Sequence, residues 1–395
     1  MTESDDLLKA VRKHGGIKPA ARALGIPEST LRGRLKGVKA ANESLSPEYR
    51  AAELETEVKA LRAQLAASKK ETLDEQFVKQ RIFKLAQSEP TAPKWLLADR
   101  VSKSSPGVPT LLASDWHFGE VVDPSQVGGL NEYNLQIARK RARRMIEVAV
   151  DLLKNHMVNA SYPGIVFALA GDMVSGDLHE ELTATNEIEI MPTVIELFGV
   201  LCWCIETLAN EFGRVFVPCC SGNHGRITHK TRHKGRNFTN FDWLVYCLLA
   251  KRFENDKRVT FQIPNGPDTV YSVYGHRYLL THGDKLGNGG DGIIGALGPI
   301  IRGDHRRRGR QSQIGQPYDT LICGHYHQLI QLERVIVNGS LKGYCEYAYT
   351  NSYGFERPRQ ALWITHPVQG LTFSMPVNVD DPVKKAESAW VKWAA

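Results

Sequence analysis

Residues 165–172 read Ile-Val-Phe-Ala-Leu-Ala-Gly-Asp, an apolar run that ends in a glycine and an aspartate. Two similar apolar runs lie on either side of it in the chain, at 110–113 and 215–219. Short apolar runs of this kind are typical of strands buried on both faces. Three segments with helical patterning follow these runs, at 134–156, 189–212 and 241–253. The alternation of strands and helices predicts an α/β domain built on a buried sheet.

Polar residues follow each predicted strand directly. The first three clusters are Asp115-Trp116-His117, Gly171-Asp172 and Gly222-Asn223-His224. Two more follow apolar runs at 278–281 and 320–323, and these are His282-Gly283-Asp284 and Gly324-His325-Tyr326-His327. Functional groups in such sheets collect at the carboxyl ends of the strands, so we expect the five clusters to converge.

The converging residues combine nitrogen and oxygen donors. They are four histidines, two aspartates and one asparagine: Asp115, His117, Asp172, Asn223, His282, His325 and His327. Such a mixture suits Mn, Fe or Zn better than an all-oxygen Mg or Ca site. An aspartate can bridge two cations, and cations roughly 3.5 to 4 Å apart can hold both reacting oxygens of a phosphate ester. The glycines before Asp172, Asn223 and His325 predict tight turns or close backbone approach.

The ordered blocks DxH, GD, GNH, H and GHxH resemble the calcineurin-like metallophosphoesterase superfamily over roughly residues 109–340. The resemblance implies a β-sandwich flanked by helices that binds two divalent ions, with Mn2+ as the first choice and Fe or Zn as alternatives. It implies one ion held by Asp115, His117, Asp172 and His327, and another held by Asp172, Asn223, His282 and His325. On the same pattern His224 is not a ligand but stabilises developing charge and protonates the leaving group.

Other histidines and acids have simpler interpretations. Histidines outside the blocks are predicted to be caps or hydrogen-bonded polar residues: His156, His179, His229, His233, His276, His305 and His366. Asp177 is a weaker candidate bridge than Asp172, because Asp172 follows a glycine directly at the strand end. Asp284 is predicted to support the site rather than to bind metal.

Two segments rich in Lys and Arg flank the predicted site. The first, after His224, carries Arg226, Lys230, Arg232, Lys234 and Arg236, and the second carries Arg302, Arg306, Arg307, Arg308 and Arg310. Cations in these positions would suit a track for a polyanion such as DNA. The alternative is that both segments are solvated surface loops without a ligand, which is the commoner structure of runs of charged residues. The glycine-rich segment 283–298 between them is predicted to be either a mobile loop over the site or a connector.

Residues 1–40 are predicted to form a DNA-binding helix-turn-helix. They carry nine Lys and Arg against four Asp and Glu, a local charge of 9 − 4 = +5. Helices are predicted at 5–13, 19–24 and 28–35. The string AARALGIPESTLRGRLK resembles the Fis-type helix-turn-helix, which implies DNA contacts from the second helix of the motif through Ser29, Thr30, Arg32 and Arg34. A helical hairpin for protein contacts is the alternative.

Residues 41–88 have the composition of a long helix or short coiled coil, with apolar residues at Leu54, Val58, Leu61 and Leu65. One interpretation of this segment is a coiled coil that forms a homodimer through residues 48–66, and the other is a single helix packed on the main domain. Residues 89–108 are predicted to be a linker, 109–380 the phosphoesterase domain and 381–395 a tail. Within that domain, 329–337 and 361–379 are predicted to complete the second sheet of the sandwich.

The 395-residue composition limits the classes of protein. The net charge is 50 − 43 = +7, counting Lys and Arg against Asp and Glu. The seven cysteines include no CxxC pair and are not typical of a disulfide scaffold. No basic and apolar leader opens the sequence, and the apolar stretch 197–205 is short of a membrane span. We therefore expect a soluble, cytoplasmic protein, located in the host cytoplasm if the gene belongs to a phage, since the layout is similar to proteins of phage and mobile elements.

These features predict a metal-dependent phosphodiesterase that hydrolyses DNA. The chain resembles the nuclease branch that includes the SbcD-type repair exonucleases, but that branch lacks the N-terminal head and carries a capping region for an ATPase. Exonuclease polarity and ATPase partnership are therefore not carried over. Two alternatives stay open: a phosphatase or small-nucleotide phosphodiesterase, and a DNA-binding regulator with a non-catalytic metal site.

Overall fold

The computed structural model describes residues 10–11, 13–43, 93, 106–157, 160–178, 180–287 and 297–381, without the side chains of 37–43. The chain divides into two compact units, Met1–Lys79 and Gln80–Ala395. Most of the sequence predictions for 41–88, the linker and the tail lie outside the described residues. The same holds for His179 and most of the glycine-rich segment, and the predicted domain boundaries stay predictions.

Two helices of the first unit are described in full, α1 (Ile17–Ala23) and α2 (Glu28–Glu43), and a short turn joins them; Ala10, Val11 and Lys13 are helical as well. Gly25 in this turn has a φ of 66°, a backbone conformation that glycine adopts without steric cost. Ala20 and Ala21 are buried against Leu31, so the small side chains let the two helices approach closely. The predicted second and third helices are confirmed, and both are longer than predicted. The predicted helix at 5–13 lies mostly outside the described residues.

The second unit contains eleven strands among its described residues. They are β1 (Val108–Ala113), β2 (Ile165–Leu169), β3 (Val215–Pro218), β4 (Val259–Gln262), β5 (Asp268–Val273), β6 (His276–Thr281), β7 (Thr320–Cys323), β8 (Ile330–Gln331), β9 (Val335–Val337), β10 (Arg359–His366) and β11 (Gly370–Asn378). Its helices are α3 (Leu135–Lys154), α4 (Glu180–Thr185), α5 (Ile190–Phe212), α6 (Phe241–Arg252), α7 (Leu297–Gln313) and α8 (Glu346–Thr350). Two 3-10 helices cover Pro124–Val127 and Asn237–Thr239. The strands and helices predicted from the apolar runs are therefore confirmed within a few residues.

The strands form two sheets in the described part of the chain, with the orders β11-β10-β1-β2-β3-β4 and β5-β6-β7-β9-β8. Strands β1 to β4 are parallel to one another, and β10 pairs antiparallel with β1. The prediction that 361–379 completes the second sheet is wrong, because β10 hydrogen-bonds to the edge of β1 and carries β11 with it. Strands β8 and β9 join the second sheet as predicted.

The side chains of the first sheet alternate between two apolar cores. Leu111 and Phe167 point to the face covered by α3, α5 and α6. Leu112 and Val166 point to the opposite face, where they pack with Tyr278 and other residues of the second sheet. The second sheet buries its outer face beneath α7. The result is a β-sandwich flanked by helices, which confirms the predicted fold class.

Helix α5 is by length and composition apolar enough to cross a membrane. The run 197–205 alone is shorter than this helix, because an isolated Glu196 interrupts the apolar residues on its N-terminal side. One face of α5, which includes Leu197, Leu201 and Leu208, is buried in the core beside the first sheet. Packing on a sheet explains an apolar face on a helix of this length, and such a helix is weak support for a membrane span.

Replacing Leu112 by Ala should destabilise the fold, because this side chain is fully buried between the two sheets. Such truncations cost about 2–5 kcal/mol in the free energy of unfolding. The matched control is Leu332→Ala, since that leucine is 43% exposed, and it should change the free energy by less than about 0.5 kcal/mol. Denaturant unfolding of both variants measures the difference, and equal losses would contradict the packing described here.

Candidate metal centre

The loops at the carboxyl ends of the strands bring the predicted ligands together. Three groups of side chains lie with their donor atoms within 4.8 Å of one another: Asp115, His117 and His327; His117, Asp172 and His224; and Asp172, His282 and His325. Neighbouring groups share His117 or Asp172, so the donors form one continuous cluster. The seventh predicted ligand, Asn223, places its Oδ1 atom 3.1 Å from Nε2 of His282. The cluster fits a dinuclear metal site.

The first half of the cluster contains two facing imidazoles. Nε2 of His117 lies 3.1 Å from Nε2 of His327, and Nε2 of His327 lies 3.4 Å from Oδ1 of Asp115. The two ring nitrogens and the carboxylate oxygen can each offer a lone pair to the same point in space. This arrangement suits a cation held by mixed nitrogen and oxygen ligands.

The second half of the cluster is centred on Asp172. Its Oδ2 atom lies 2.9 Å from Nε2 of His282, while its Oδ1 atom accepts a hydrogen bond from the backbone N–H of His224 at 2.7 Å. The ring of His325 packs edge-on against that of His282, with centroids 5.2 Å apart. A donor atom of Asp172 also lies within 4.8 Å of one of His117, a member of the first half, so Asp172 is placed to be a shared ligand.

The outer nitrogens of three histidines face acceptors. Nδ1 of His282 lies 2.8 Å from the carbonyl of Ala170, and Nδ1 of His117 lies 3.3 Å from Oε2 of Glu120. Nδ1 of His224 lies 3.1 Å from the carbonyl of Ser175. A carbonyl oxygen can only accept, so Nδ1 of His282 and of His224 carries a proton, whereas the 3.3 Å contact of His117 with Glu120 lacks hydrogen-bond geometry. In the neutral ring, Nε2 is then left with a lone pair directed into the cluster.

The cluster also sets the protonation of its histidines. Burial lowers the pKa of His117 to about 3 and that of His325 to about 4, so both rings are neutral near pH 7. Burial opposes the charge on His282 as well, but the carboxylate of Asp172 outweighs it and raises the pKa of His282 to about 10. The pKa of Asp172 is lowered because these attractions outweigh its burial. Without a cation, a proton on His282 thus balances the carboxylate.

The backbone is strained at the predicted ligands. Among the described residues, seven residues other than glycine have positive φ, and five of them are predicted ligands: Asp115, His117, Asp172, His325 and His327. Residues other than glycine adopt this conformation uncommonly, Asp and His more often than most, and such residues cost of order 1–3 kcal/mol each and are concentrated at functional sites. Gly171 and Gly324 confirm the predicted close approach, since a Cβ atom there would lie 2.3 Å from the nitrogen of Gly222 and 2.2 Å from Oδ2 of Asp115, respectively.

Sequence reasoning missed Asp242, at the start of α6. Its Oδ2 atom accepts hydrogen bonds from the backbone N–H groups of Asp172 and Gly222, both at 2.9 Å, and its Oδ1 atom accepts one from Met173 at 3.1 Å. Burial and the nearby Asp172 raise the pKa of Asp242 to about 6. This carboxylate joins the turn that carries Asp172 to the turn that carries Asn223. No motif or spacing in the sequence indicates it.

A buried ion pair beneath His117 was also missed. The carboxylate of Glu120, which faces His117, also contacts Nζ of Lys342 at 2.7 Å, and both side chains are buried. Burial opposes both charges, yet their attraction lowers the pKa of Glu120 and raises that of Lys342. The proximity of Glu120 to His117 in sequence was the available signal, whereas Lys342 is more than 200 residues away and gave none.

The first cationic segment divides into anchored and exposed residues. Arg226 donates to the carbonyl of Asn223 at 2.8 Å, and Arg236 pairs with Asp284 at 2.9 Å. Asp284 therefore supports the site through Arg236, as predicted. The remaining predicted DNA contacts of this segment are exposed: Lys230, Arg232 and Lys234.

The second cationic segment lies on α7, and most of its predicted DNA contacts bind to the protein itself. Arg307 is buried and pairs with Asp268 at 2.6 Å, and Arg308 pairs with Asp304 at 2.7 Å. Arg306 is exposed and donates to the carbonyl of Leu286 at 2.6 Å. These bonds account structurally for the arginines, and whether they also contact DNA stays a prediction.

The predicted DNA contacts of the first unit are all exposed on α2: Ser29, Thr30, Arg32 and Arg34. Arg32 forms an i,i+4 ion pair with Glu28 at 3.0 Å. A surface pair of this kind is weak and leaves the arginine available to a phosphate. DNA binding by this helix stays a prediction.

Comparisons with known proteins give low similarity. No protein-family model matches the chain, and no curated protein matches it. One similar solved structure is described as a 5′-nucleotidase from Staphylococcus aureus in complex with alpha-ketoglutarate, with 11% identity, 71% of this chain and 56% of that chain covered, and a TM-score of 0.32. Another is the Thermus thermophilus sulfate thiohydrolase SoxB in complex with glycerol, with 8% identity, coverages of 70% and 57%, and a TM-score of 0.27. The match thus spans less than two thirds of either of those chains, and scores at this level transfer neither fold nor activity.

Metal binding should release a proton from His282. The folded pKa of about 10 keeps this ring charged at pH 7, and a cation can reach Nε2 only after the proton has left. Affinity for Mn2+ should therefore rise with pH below 10, by up to about tenfold per unit. Calorimetric titration in two buffers of different ionisation enthalpy measures the released proton. The variant His282→Gln should abolish the release, whereas His276→Gln, outside the cluster, should not, and buffer-independent heats for the unmodified protein would refute the assignment.

Proposed function

We propose that the chain is a dinuclear metal-dependent phosphoesterase. The observation that carries the proposal is the continuous cluster of histidine and aspartate donors, which shares Asp172 between its halves. Strained backbone at five predicted ligands supports it, because such strain persists only where the surroundings enforce it. The resemblance of the five sequence blocks to metallophosphoesterases points to the same chemistry.

The chain's own residues would prepare the site for hydrolysis. Two bound divalent ions would polarise the phosphoryl oxygens and lower the pKa of an attacking water. The carboxylate of Asp242 accepts hydrogen bonds from the backbone of Asp172 and of Gly222, the residue before Asn223, and so holds both turns. Nδ1 of His224 donates to the carbonyl of Ser175, so Nε2 is the nitrogen that would act on the substrate. To stabilise negative charge on the phosphate or to transfer a proton to the leaving oxygen, Nε2 would have to carry a proton of its own, so the form that acts would be the imidazolium.

As substrate we propose the phosphodiester bonds of DNA. The exposed cations Lys230, Arg232 and Lys234 follow Asn223 and His224 within eleven residues of sequence, in the segment that connects β3 to α6. A basic helical head with exposed Arg32 and Arg34 is present on the same chain. Together these cations would hold a polyanion and present it to the ions.

Phosphomonoester hydrolysis, by a nucleotidase or phosphatase, is the second candidate. It is favoured by a specific observation: Arg226, Arg236, Arg307 and Arg308 bond to protein carbonyls and carboxylates, which leaves fewer cations for a long polyanion than the sequence indicates. A small substrate needs only the ions and a few nearby donors. A non-catalytic regulator would instead bind DNA and show no turnover with any metal.

The variant Asp172→Asn should abolish Mn2+-dependent hydrolysis, because it removes a shared charge while asparagine tolerates the φ of 50°. The variant His224→Ala should lower kcat by about 10²–10⁴-fold and retain the metal. Substrates are bis-p-nitrophenyl phosphate, p-nitrophenyl phosphate and end-labelled single- and double-stranded DNA. Cleavage of DNA and the diester over the monoester supports the DNA proposal, and the reverse preference supports the second candidate.

The control for this assay is His156→Ala, whose exposed side chain pairs only with Asp151 among its described contacts and should not affect turnover. Hydrolysis that persists in the Asp172→Asn protein would come from a contaminant and remove the enzyme proposal. Metal content measured on each purified variant separates loss of the ions from loss of a catalytic group.

Replacing Arg32 or Arg34 by Ala should weaken DNA binding if α2 contacts phosphates. Each lost contact should reduce the slope of log affinity against log salt by about 1. Fluorescence anisotropy with duplex DNA at several salt concentrations measures this slope. The matched control is Arg139→Ala, an exposed arginine of the second unit paired with Glu196. An unchanged slope in both head variants would favour the protein-contact interpretation of this hairpin.

A further inference from the structure

A fully buried polar network lies behind the carboxylate of Asp115. It joins three side chains that sequence reasoning missed: Ser114, Asn338 and Gln360. Ser114 follows β1, Asn338 follows β9, and Gln360 is the second residue of β10. Because β9 belongs to the second sheet and the other two strands to the first, the network connects the two sheets directly beside a predicted ligand. We call these three side chains the Ser114 network.

Backbone groups fix the orientation of both amides in the network. Oδ1 of Asn338 accepts a hydrogen bond from the backbone N–H of Ala361 at 2.7 Å, and its Nδ2 lies 3.2 Å from the carbonyl of Leu112. Oε1 of Gln360 accepts a hydrogen bond from the backbone N–H of Ser114 at 3.0 Å, and its Nε2 donates to two backbone carbonyls at 2.8 and 3.1 Å. A backbone N–H only donates and a carbonyl only accepts, so neither amide can be turned over.

The fixed amides determine the direction of the Ser114 hydroxyl. Nδ2 of Asn338 donates to Oγ of Ser114 at 2.9 Å, so this oxygen already has a donor. Its own proton is directed to Oδ2 of Asp115, which as a carboxylate can only accept. All of these groups are buried, where an unmade hydrogen bond is costly, so the hydroxyl stays in this direction. The Ser114 network therefore ends in one donor, aimed at one oxygen of Asp115.

The two oxygens of Asp115 are thereby made different. Oδ2 accepts from the hydroxyl and packs against Gly324, where a Cβ atom would lie 2.2 Å from Oδ2 and 2.5 Å from Oγ of Ser114. Oδ1 faces the donor cluster, 3.4 Å from Nε2 of His327. The backbone N–H of His325 contacts both oxygens, at 2.9 Å from Oδ1 and 3.1 Å from Oδ2, so it hardly distinguishes them. The hydroxyl is the group that assigns Oδ2 to the protein and leaves Oδ1 to a cation.

Resting on the dinuclear site of the proposed function, we propose that Ser114 is a positioning residue that keeps Asp115 as a monodentate ligand of one ion through Oδ1. This ion is the one assigned to the first half of the cluster, with Asp115, His117 and His327. A carboxylate that is oriented before the ion arrives loses less freedom when the ion binds, and partners of this kind typically contribute 10–100-fold to metal affinity. The other ion does not bind Asp115, so its affinity should not depend on Ser114.

The test is a titration of the full-length protein with Mn2+, in which the free ion is counted from its EPR signal. The unmodified protein should bind two ions. The variant Ser114→Ala should bind one of them about 10–100-fold more weakly and the other with unchanged affinity. The unaffected ion is an internal reference, because a general loss of folded protein would lower the binding of both ions together.

The substitution removes the hydroxyl without leaving a buried donor unpaired. Nδ2 of Asn338 keeps two acceptors, the carbonyl of Leu112 at 3.2 Å and Oε1 of Gln360 at 3.1 Å. The matched control is Thr110→Val on β1, four residues before Ser114. The hydroxyl of Thr110 is buried and makes no hydrogen bond in the described part of the chain, so this variant should bind both ions as tightly as the unmodified protein.

A double variant identifies the ion that is weakened. His282 lies in the half of the centre that does not contain Asp115, so His282→Gln should weaken the other ion. Each single variant should then weaken one ion, and the protein with both Ser114→Ala and His282→Gln should weaken both. A double variant that still binds one ion with the original affinity would mean that both substitutions act on the same ion.

That result would overturn the inference, and so would three others. Unchanged binding of both ions by Ser114→Ala would show that Asp115 needs no positioning by the hydroxyl. Equal weakening of both ions, or the same loss in Thr110→Val, would give Ser114 only a structural role. The proposed function fails separately: a protein that shows the selective loss but hydrolyses no phosphate ester would keep this inference and lose the enzyme. An unmodified protein that binds no Mn2+ would overturn both.

Discussion

A buried carboxylate, that of Asp242, accepts three backbone hydrogen bonds and thereby fixes the distance between the turns after β2 and β3. Those turns carry Asp172 and Asn223, which occupy the centre of the donor cluster. Asn240 caps the same helix start and donates to the carbonyl of Gly222 at 2.9 Å, so donors and acceptors of the second turn are both satisfied. The arrangement of the metal centre depends on this junction, because neither turn alone can place its ligand.

Much of the fold could be predicted because its strands are short, apolar and buried on both faces. The run 165–172 contains both the strand and the Gly171-Asp172 pair after it, so a short apolar run followed by a polar cluster was enough to predict β2 and the position of Asp172. The assignment of 361–379 to the second sheet was wrong for a physical reason. The apolar sequence of β10 predicts a strand but does not indicate which sheet edge it joins. The sheet is decided by the pairing of its residues with β1, which the structure shows.

The candidate site could be predicted where its donor residues are close in sequence, as in Asp115-Trp116-His117 and Gly324-His325-Tyr326-His327. Its supports were not, because Asp242, Glu120 and Lys342 contact the ligands across long sequence separations. The runs of cationic residues were also hard to interpret, because their partners are distant in sequence or on another turn of the helix. A sequence shows that Arg307 and Arg308 are cationic, but it does not show that Asp268 and Asp304 lie opposite them.

The left-handed backbone at His117, His325 and His327 has an evolutionary consequence. Glycine at any of these positions would relax the main chain, so selection for a more heat-resistant scaffold would act against the imidazoles themselves. Lineages that no longer needed the chemistry should therefore lose these histidines early and to small residues. A homologue that retains all three, in spite of that drift, would be one in which the proposed metal-dependent chemistry is still under selection.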